Sequence, residues 1–127
     1  MRPEAELWWK QGLEDLDTAV SNLSTKKYYA AAFFCQQAAE KALKAVYIEA
    51  KREQQPKTHN LLDLGKLLKV PRNILDALIE LNPEYVVTRY PDAANGLPAE
   101  MYNEEIAKRK IEKARKVMAW ARQKLTK

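Results

Sequence analysis

The sequence predicts an all-α fold, in which three long helices and a short helical pair form a compact bundle. Apolar residues recur at the three- and four-residue spacing of a helix in three long segments. Glycine occurs only 3 times in 127 residues and the β-branched residues are scattered, so strands are poorly supported. Because a chain of this length can bury one core but not two, we expect a single domain over residues 1–127.

Apolar stripes predict the first two long helices. The first stripe advances by alternating steps of four and three residues, through Trp9, Leu13, Leu16, Val20 and Leu23. The second helix should cover about residues 27–52, where alanine is frequent, favours helix and permits close packing of neighbouring helices. Proline disfavours helix in the residue before it, so this helix should end ahead of Pro56.

Caps and prolines predict the remaining boundaries. Thr58 is a candidate N-cap for a short third helix, and Pro71 can begin a fourth, which Pro83 then interrupts. Residues 90–98 carry two prolines, an asparagine and a glycine, and read as the most loop-like stretch. The last helix should begin near Asn103, whose side chain can cap it, with two glutamates in the first turn, where acidic residues are favourable.

Composition narrows the classes of protein and site. No run approaches the roughly 18 apolar residues that cross a membrane, and the N-terminus has no apolar signal segment, so we expect a cytoplasmic protein. One cysteine and one histidine cannot form a zinc site of the usual type, and we expect neither metal nor cofactor. Cys35 lies in an apolar run and is expected to be a buried, unreactive thiol.

The net charge of +5 is concentrated at one end of the chain. Residues 1–100 hold 13 Lys and Arg against 14 Asp and Glu, whereas residues 101–127 hold 9 against 3. This asymmetry permits an anionic partner such as nucleic acid. It is equally typical of the solvated face of a terminal helix, where basic residues favour the helix C-terminus.

Three short strings resemble one protein family in order and in spacing. Residues 36–44, Gln-Gln-Ala-Ala-Glu-Lys-Ala-Leu-Lys, resemble the Gln-Ala-x-Glu-Lys-x-x-Lys signature of the HEPN family, named for nucleotide-binding proteins of higher eukaryotes and prokaryotes. Residues 57–61, Lys-Thr-His-Asn-Leu, resemble its Thr-His-x-Leu string, and residues 88–92, Thr-Arg-Tyr-Pro-Asp, resemble its Arg-Tyr-Pro-Asp string. The resemblance covers nearly the whole chain.

The resemblance implies both an architecture and a set of functions. It implies an up-and-down bundle of four to five helices, usually a homodimer. Prokaryotic members are often encoded beside a minimal nucleotidyltransferase, and some of these pairs behave as toxin and antitoxin. Many members are metal-independent RNases that carry an Arg followed by a His, four to six residues intervening.

Arg52 and His59 have this spacing, because six residues separate them. Chemically, a histidine can move a proton on an attacking 2′-hydroxyl, and an arginine can hold the phosphate through paired hydrogen bonds. The nuclease members usually carry the pair on or beside one helix late in the bundle, whereas Pro56 here breaks the helix between the two. The alternative is that His59 is a helix-entry residue that bonds Asp63 or nearby backbone.

Five further residues are candidates for ligand binding. Arg89 and Asp92 flank Tyr90, which offers a stacking face, and this group suits a phosphate or a base. Alternatively, Arg89 pairs with a carboxylate such as that of Glu40 and holds the loop on helix two. Lys41 and Lys44 can extend an anion-binding surface, or they can be exposed lysines paired with Glu40 or Glu49.

Three tryptophans, Trp8, Trp9 and Trp120, are expected to meet where the first and last helices pack. Three functions follow from these observations. The favoured one is a nucleotide-binding and partner module, a homodimer paired with a minimal nucleotidyltransferase in a toxin-antitoxin-like system. The alternatives are a metal-independent endoribonuclease that uses His59 and Arg52 on RNA, and a purely structural dimerisation domain. Whether the chain is an enzyme is left open.

Overall fold

The computed structural model describes residues 1–126, and all regular structure within them is helical. The three long helices are α1 (Pro3–Ser24), α2 (Tyr28–Lys51) and α7 (Glu104–Leu125). Between the last two lie α3 (Leu61–Leu68), α4 (Arg72–Leu81), the single turns α5 (Glu84–Val87) and α6 (Pro91–Ala94), and a 3-10 turn (Pro98–Glu100). The predicted all-α bundle of three long helices and a short pair is therefore confirmed. None of the helices described has a stretch long and apolar enough to cross a membrane.

The short helices correct two of the predicted boundaries. Asn60, and not Thr58, is the N-cap of α3, because its Oδ1 accepts the N–H of Leu62 at 2.8 Å. The Thr58 hydroxyl instead accepts the N–H of Asn60 at 3.0 Å. Residues 90–98 are also not wholly loop, since a proline at the first helical position favours one turn of helix at α6.

Helix α2 is the central element of the bundle and packs against both α1 and α7. Most of its alanines are fully buried, and small side chains permit this close approach on two sides. Gly12 of α1 faces the same helix, where a Cβ would lie 3.3 Å from the carbonyl oxygen of Ala38. The fully buried large apolar side chains of the core are Leu43 and Ile48 of α2, with Leu61, Leu64, Leu78, Leu81 and Val117 from other helices.

Helix α7 begins where the sequence predicts it, at the N-cap Asn103, whose Oδ1 accepts the N–H of Ile106 at 2.8 Å. Part of its basic excess is paired within the chain. Lys110 Nζ lies 3.4 Å from a carboxylate oxygen of Glu84, and Lys113 Nζ lies 3.3 Å from one of Glu80. These pairs attach α4 and α5 to α7, and so part of the charge asymmetry serves the fold.

Glu84 is buried, with 4% of its surface exposed, and its carboxylate has polar partners inside the bundle. Its carboxylate accepts a hydrogen bond from the Tyr102 hydroxyl at 2.5 Å. The pKa of Tyr102 is raised, mainly because the residue is partly buried and secondly because of this hydrogen bond. Cys35 is buried as predicted. Burial is the main cause that raises the pKa of its thiol to about 12, and the negative charge of the nearby Glu84 is the second. The thiol is therefore protonated at neutral pH, and a protonated thiol is a poor nucleophile.

Candidate functional site

The candidate site is built on the carboxylate of Glu40, which is 4% exposed in the middle of α2. Helical spacing places Gln36 and Lys44 four residues to either side, on the same face. Gln36 Nε2 donates to one carboxylate oxygen at 3.2 Å, and Lys44 Nζ donates to the other at 3.0 Å. A buried carboxylate is tolerated only when it is paired and hydrogen-bonded in this way.

His59 completes the coordination of this carboxylate from the segment between α2 and α3. Its Nδ1 lies 3.0 and 3.1 Å from the two oxygens of Glu40, and its backbone oxygen accepts from Gln36 Nε2 at 3.1 Å. The alternative partner Asp63 is therefore wrong. The ring also stacks on Tyr85, with centroids 4.3 Å apart and an interplanar angle of 14°.

This arrangement assigns different roles to the two ring nitrogens of His59. Nδ1 faces a carboxylate and so carries the proton, which leaves the lone pair of the neutral ring on Nε2. No residue among positions 1–126 forms a hydrogen bond to Nε2, and the side chain is 52% exposed. A histidine oriented by a buried carboxylate, with its other nitrogen accessible, can accept or donate a proton at that nitrogen.

The His59 pocket is the cavity of about 350 Å³ that this side chain borders. Its lining residues are Trp8, Gln37, Glu40, Lys41, Lys44, Gln55, Lys57 and His59. The lining thus carries three lysines and one glutamate, and Asp15, which pairs with Lys41 from outside the lining, offsets one further positive charge. The pocket is left positive by about one charge, and by a second when His59 is protonated. It is suited to an anion.

The two predicted lysines differ in environment. Lys41 Nζ bonds Asp15 at 2.6 Å and Gln37 at 3.0 Å, so the prediction of a partner at Glu40 or Glu49 is wrong for it. Lys44 does pair with Glu40, but at 3% exposure it is not the surface lysine of the alternative interpretation. Its ammonium group also lies 5.3 Å from the ring centroid of Trp8.

Arg52 occupies a separate position at the end of α2. It is the exposed C-cap of that helix, with a left-handed backbone (φ 56°), and does not line the His59 pocket. Its predicted catalytic partnership with His59 stays a prediction.

The predicted group Arg89, Tyr90 and Asp92 is connected to His59 through Tyr85, which the sequence reasoning missed. The Arg89 guanidinium lies 4.4 Å from the ring centroid of Tyr85 and 4.9 Å from that of Tyr90. Its Nε donates to the backbone oxygen of Tyr85 at 2.7 Å, so the alternative pairing of Arg89 with Glu40 is wrong. The four-residue spacing of Tyr85 and Arg89 is the sequence signal that could have linked them.

Asp92 contributes to local structure rather than to the pocket. Its Oδ1 accepts the N–H of Ala93 at 3.0 Å in the first turn of α6. Trp8, Trp9 and Trp120 all pack against one apolar cluster of α2 and α7, whereas their meeting one another stays a prediction. Residues 1–126 contain no group of three or more His, Cys, Asp or Glu side chains that could hold a metal ion.

Comparison with known proteins gives one consistent result. The sequence matches the HEPN domain over residues 5–124. The fold is similar to that of TT1696 from Thermus thermophilus, with a TM-score of 0.87, 33% identity, and coverage of 97% of this chain and 99% of that one. It is also similar to ST0689, an archaeal HEPN homologue, with a TM-score of 0.83, 33% identity, and coverage of 97% and 98%.

A third structure, an HEPN domain protein (TM0613) from Thermotoga maritima, aligns with a TM-score of 0.74 and 27% identity over 94% of this chain and 98% of that one. No curated protein matches the sequence.

Proposed function

Because the chain belongs to the HEPN domain family, we propose that it is a nucleotide-binding and partner module, whose His59 pocket takes the phosphate of the ligand. The observation that carries the proposal is the composition of that pocket. Lys41, Lys44 and Lys57 line it together with His59, and the one carboxylate present, that of Glu40, is already paired. A phosphate entering it gains charge-assisted hydrogen bonds from Lys57 without displacing an ion pair, while Lys41 and Lys44 add positive charge and stay paired with Asp15 and Glu40.

Direct binding measurements test this proposal. Isothermal titration with the four nucleoside 5′-monophosphates should give saturable binding to the wild type. Lys57→Ala should weaken it about tenfold, since a hydrogen bond to a charged group contributes roughly 1.5–3 kcal/mol, and His59→Ala should do the same where the ring is protonated and Nε2 can donate. Lys66→Ala is the matched control, because this exposed lysine of α3 does not line the pocket. Absence of binding at millimolar nucleotide contradicts the proposal.

We further propose that the module is a homodimer whose partner is a minimal nucleotidyltransferase, in a toxin-antitoxin-like pair. Supporting this, large apolar side chains are exposed along one short segment, as expected of an interface. They are Val86, Tyr90, Leu97 and Met101. Light scattering at micromolar concentration should give a dimer mass, and co-expression with a nucleotidyltransferase encoded beside the gene should give a stable complex. A monomer that does not co-purify contradicts this part.

A second candidate function, metal-independent RNA cleavage, is favoured by one observation, the accessible Nε2 of a histidine oriented by Glu40. This nitrogen can take the proton of a 2′-hydroxyl as that oxygen bonds the neighbouring phosphorus and the P–O5′ bond breaks, which gives a 2′,3′-cyclic phosphate and a 5′-hydroxyl that takes its proton from water. Cleavage of RNA in EDTA by the wild type, lost in His59→Ala, would support it. A parallel loss in Arg52→Ala would assign Arg52 to the same reaction. A wild type that does not cleave RNA would oppose this second function and leave only the proposed binding function.

A further inference from the structure

A second cavity adjoins the His59 pocket and differs from it in character. It has a volume of about 350 Å³ and is lined by Leu7, Trp8, Gln11 and Lys41. Trp8 and Lys41 also line the His59 pocket, so the two cavities lie side by side, and we call the two together the cleft. One end of the cleft is apolar and the other is polar and basic.

The apolar end is formed by side chains that the fold leaves uncovered. Leu7 is 70% exposed, more than any other large apolar side chain among residues 1–126. Trp8 is half-buried: it packs on the apolar cluster of α2 and α7, and its ring also lies along the edge of the cleft. We call this end the Leu7–Trp8 surface.

Lys41 is held at the boundary between the two ends. Asp15 binds its ammonium group at 2.6 Å, and Gln11 Nε2 in turn donates to Asp15 at 2.9 Å. Because Asp15 is itself buried, this chain fixes where the basic end begins. A ligand that fills the cleft must therefore change from apolar to anionic at the position of Lys41.

We propose that the cleft binds a nucleoside phosphate in one direction, with its base on the Leu7–Trp8 surface and its phosphate at the His59 end. This inference rests on the proposed function and extends it from a phosphate site to a two-part site. Stacking of a base on an aromatic side chain suits any planar base and so does not depend on its identity. A phosphate without a base would leave the apolar end uncovered, and a nucleoside without phosphate would leave the basic end unpaired.

One observation favours this occupant over an apolar side chain from another protein. The Leu7–Trp8 surface has no separate boundary of its own, since it shares Trp8 and Lys41 with the basic end. Charge complementarity then requires an anion directly beside the apolar group. Either a free nucleotide or the phosphorylated end of an RNA strand supplies this chemistry.

The test separates the two ends of the cleft. Binding of a nucleoside 5′-monophosphate, the matching nucleoside and inorganic phosphate is measured by titration calorimetry, with tryptophan fluorescence as a second readout. The monophosphate should bind at least tenfold more tightly than either part. Trp8→Ala should weaken binding of the monophosphate about tenfold. Leu7→Ser should also weaken binding of the monophosphate but leave binding of inorganic phosphate unchanged, because Leu7 lines only the apolar end, whereas Lys57→Ala should weaken both.

Tyr90→Ala is the matched aromatic control, because this exposed ring lies outside the cleft. If Tyr90→Ala weakens binding of the monophosphate and Trp8→Ala does not, the base lies elsewhere and the inference is wrong. Equal affinities for monophosphate and phosphate also overturn it, while the proposed function stands. Absence of all phosphate binding refutes the proposed function itself. Circular dichroism checks that Trp8→Ala is folded, and Leu7→Ser gives a second test of the same surface.

A 5′-phosphorylated RNA oligonucleotide identifies the source of the ligand. Competition between this strand and the monophosphate, with the binding of both weakened about tenfold in Trp8→Ala, assigns the cleft to a strand end. Binding of the monophosphate alone assigns it to a free nucleotide. Both results agree with the proposed direction, and a strand that binds equally well to Trp8→Ala opposes it.

Discussion

Replacing Glu40 by Gln should destabilise the protein strongly, because it leaves the charge of Lys44 buried without a partner. The two side chains are 4% and 3% exposed and their charged atoms lie 3.0 Å apart. Breaking a buried ion pair by removing one partner costs about 3–5 kcal/mol, since the remaining ion has lost its hydration and gains nothing in return. Glutamine preserves the volume, so the loss should come from the charge and not from a cavity.

Urea and thermal unfolding followed by circular dichroism measure this loss. For a chain of this size, about 4 °C of melting temperature corresponds to 1 kcal/mol, so Tm should fall by roughly 12–20 °C. Adding Lys44→Met to Glu40→Gln should recover much of the loss, because the unpaired charge is then gone. The matched control is Glu6→Gln, whose partner Lys10 is 2.9 Å away on the exposed face of α1, and this variant should unfold like the wild type.

The reasoning is refuted if Glu40→Gln loses less than about 1 kcal/mol, or if Lys44→Met adds to the loss instead of reversing it. Either result would mean that Lys44 finds water or another acceptor, and that the pair does not hold the site together. The same variant bears on His59, whose ring would lose the carboxylate that orients it. We expect nucleotide affinity to fall in Glu40→Gln even under conditions in which it is fully folded.

Three further predictions concern the rest of the fold. The pKa of Cys35 in the folded protein, about 12, lies above its ordinary value of 9.0, so the thiol ionises first in the unfolded chain. The free energy of unfolding should therefore be unaffected by this group below about pH 9 and should fall above it by up to about 1.4 kcal/mol per pH unit. The fall with pH should be smaller in Cys35→Ala. Leu43→Ala should cost about 2–5 kcal/mol in urea unfolding because Leu43 is fully buried, whereas the exposed Leu97→Ala should change little. Asn103→Ala should cost about 1 kcal/mol by thermal unfolding, because it removes the cap of α7; no change would mean that water replaces the side chain.

Local rules were sufficient to predict the long helices. The apolar stripes of α1, α2 and α7 have the period of a helix, and caps and prolines mark their ends. Asn103 begins α7 as predicted, because an asparagine before two glutamates suits a helix start whatever surrounds it. The same rules failed at Thr58, where nearby polar residues compete for the cap and the local geometry selects Asn60.

The spacing of residues along α2 also predicts part of the candidate site. Gln36, Glu40 and Lys44 share a face because they are four residues apart on one helix, and the family string covers them. What spacing does not reveal is that this face is buried. The sequence therefore left Lys44 open to an interpretation as a surface residue.

The sequence alone thus determined the helical class, the order of the long helices and the family. Of the residues that it proposed for a site, Lys41, Lys44 and His59 line the His59 pocket, whereas Glu40 was named only as a possible ion-pair partner. The partners across the bundle were decided only by the tertiary structure. His59 meets Glu40 across 19 residues of chain, and Lys41 meets Asp15 across 26. No periodicity links such positions, because the segment that carries His59 has no regular structure and the crossing of α1 over α2 is set by packing. That crossing also creates the cleft, in which Trp8 lies beside the basic pocket.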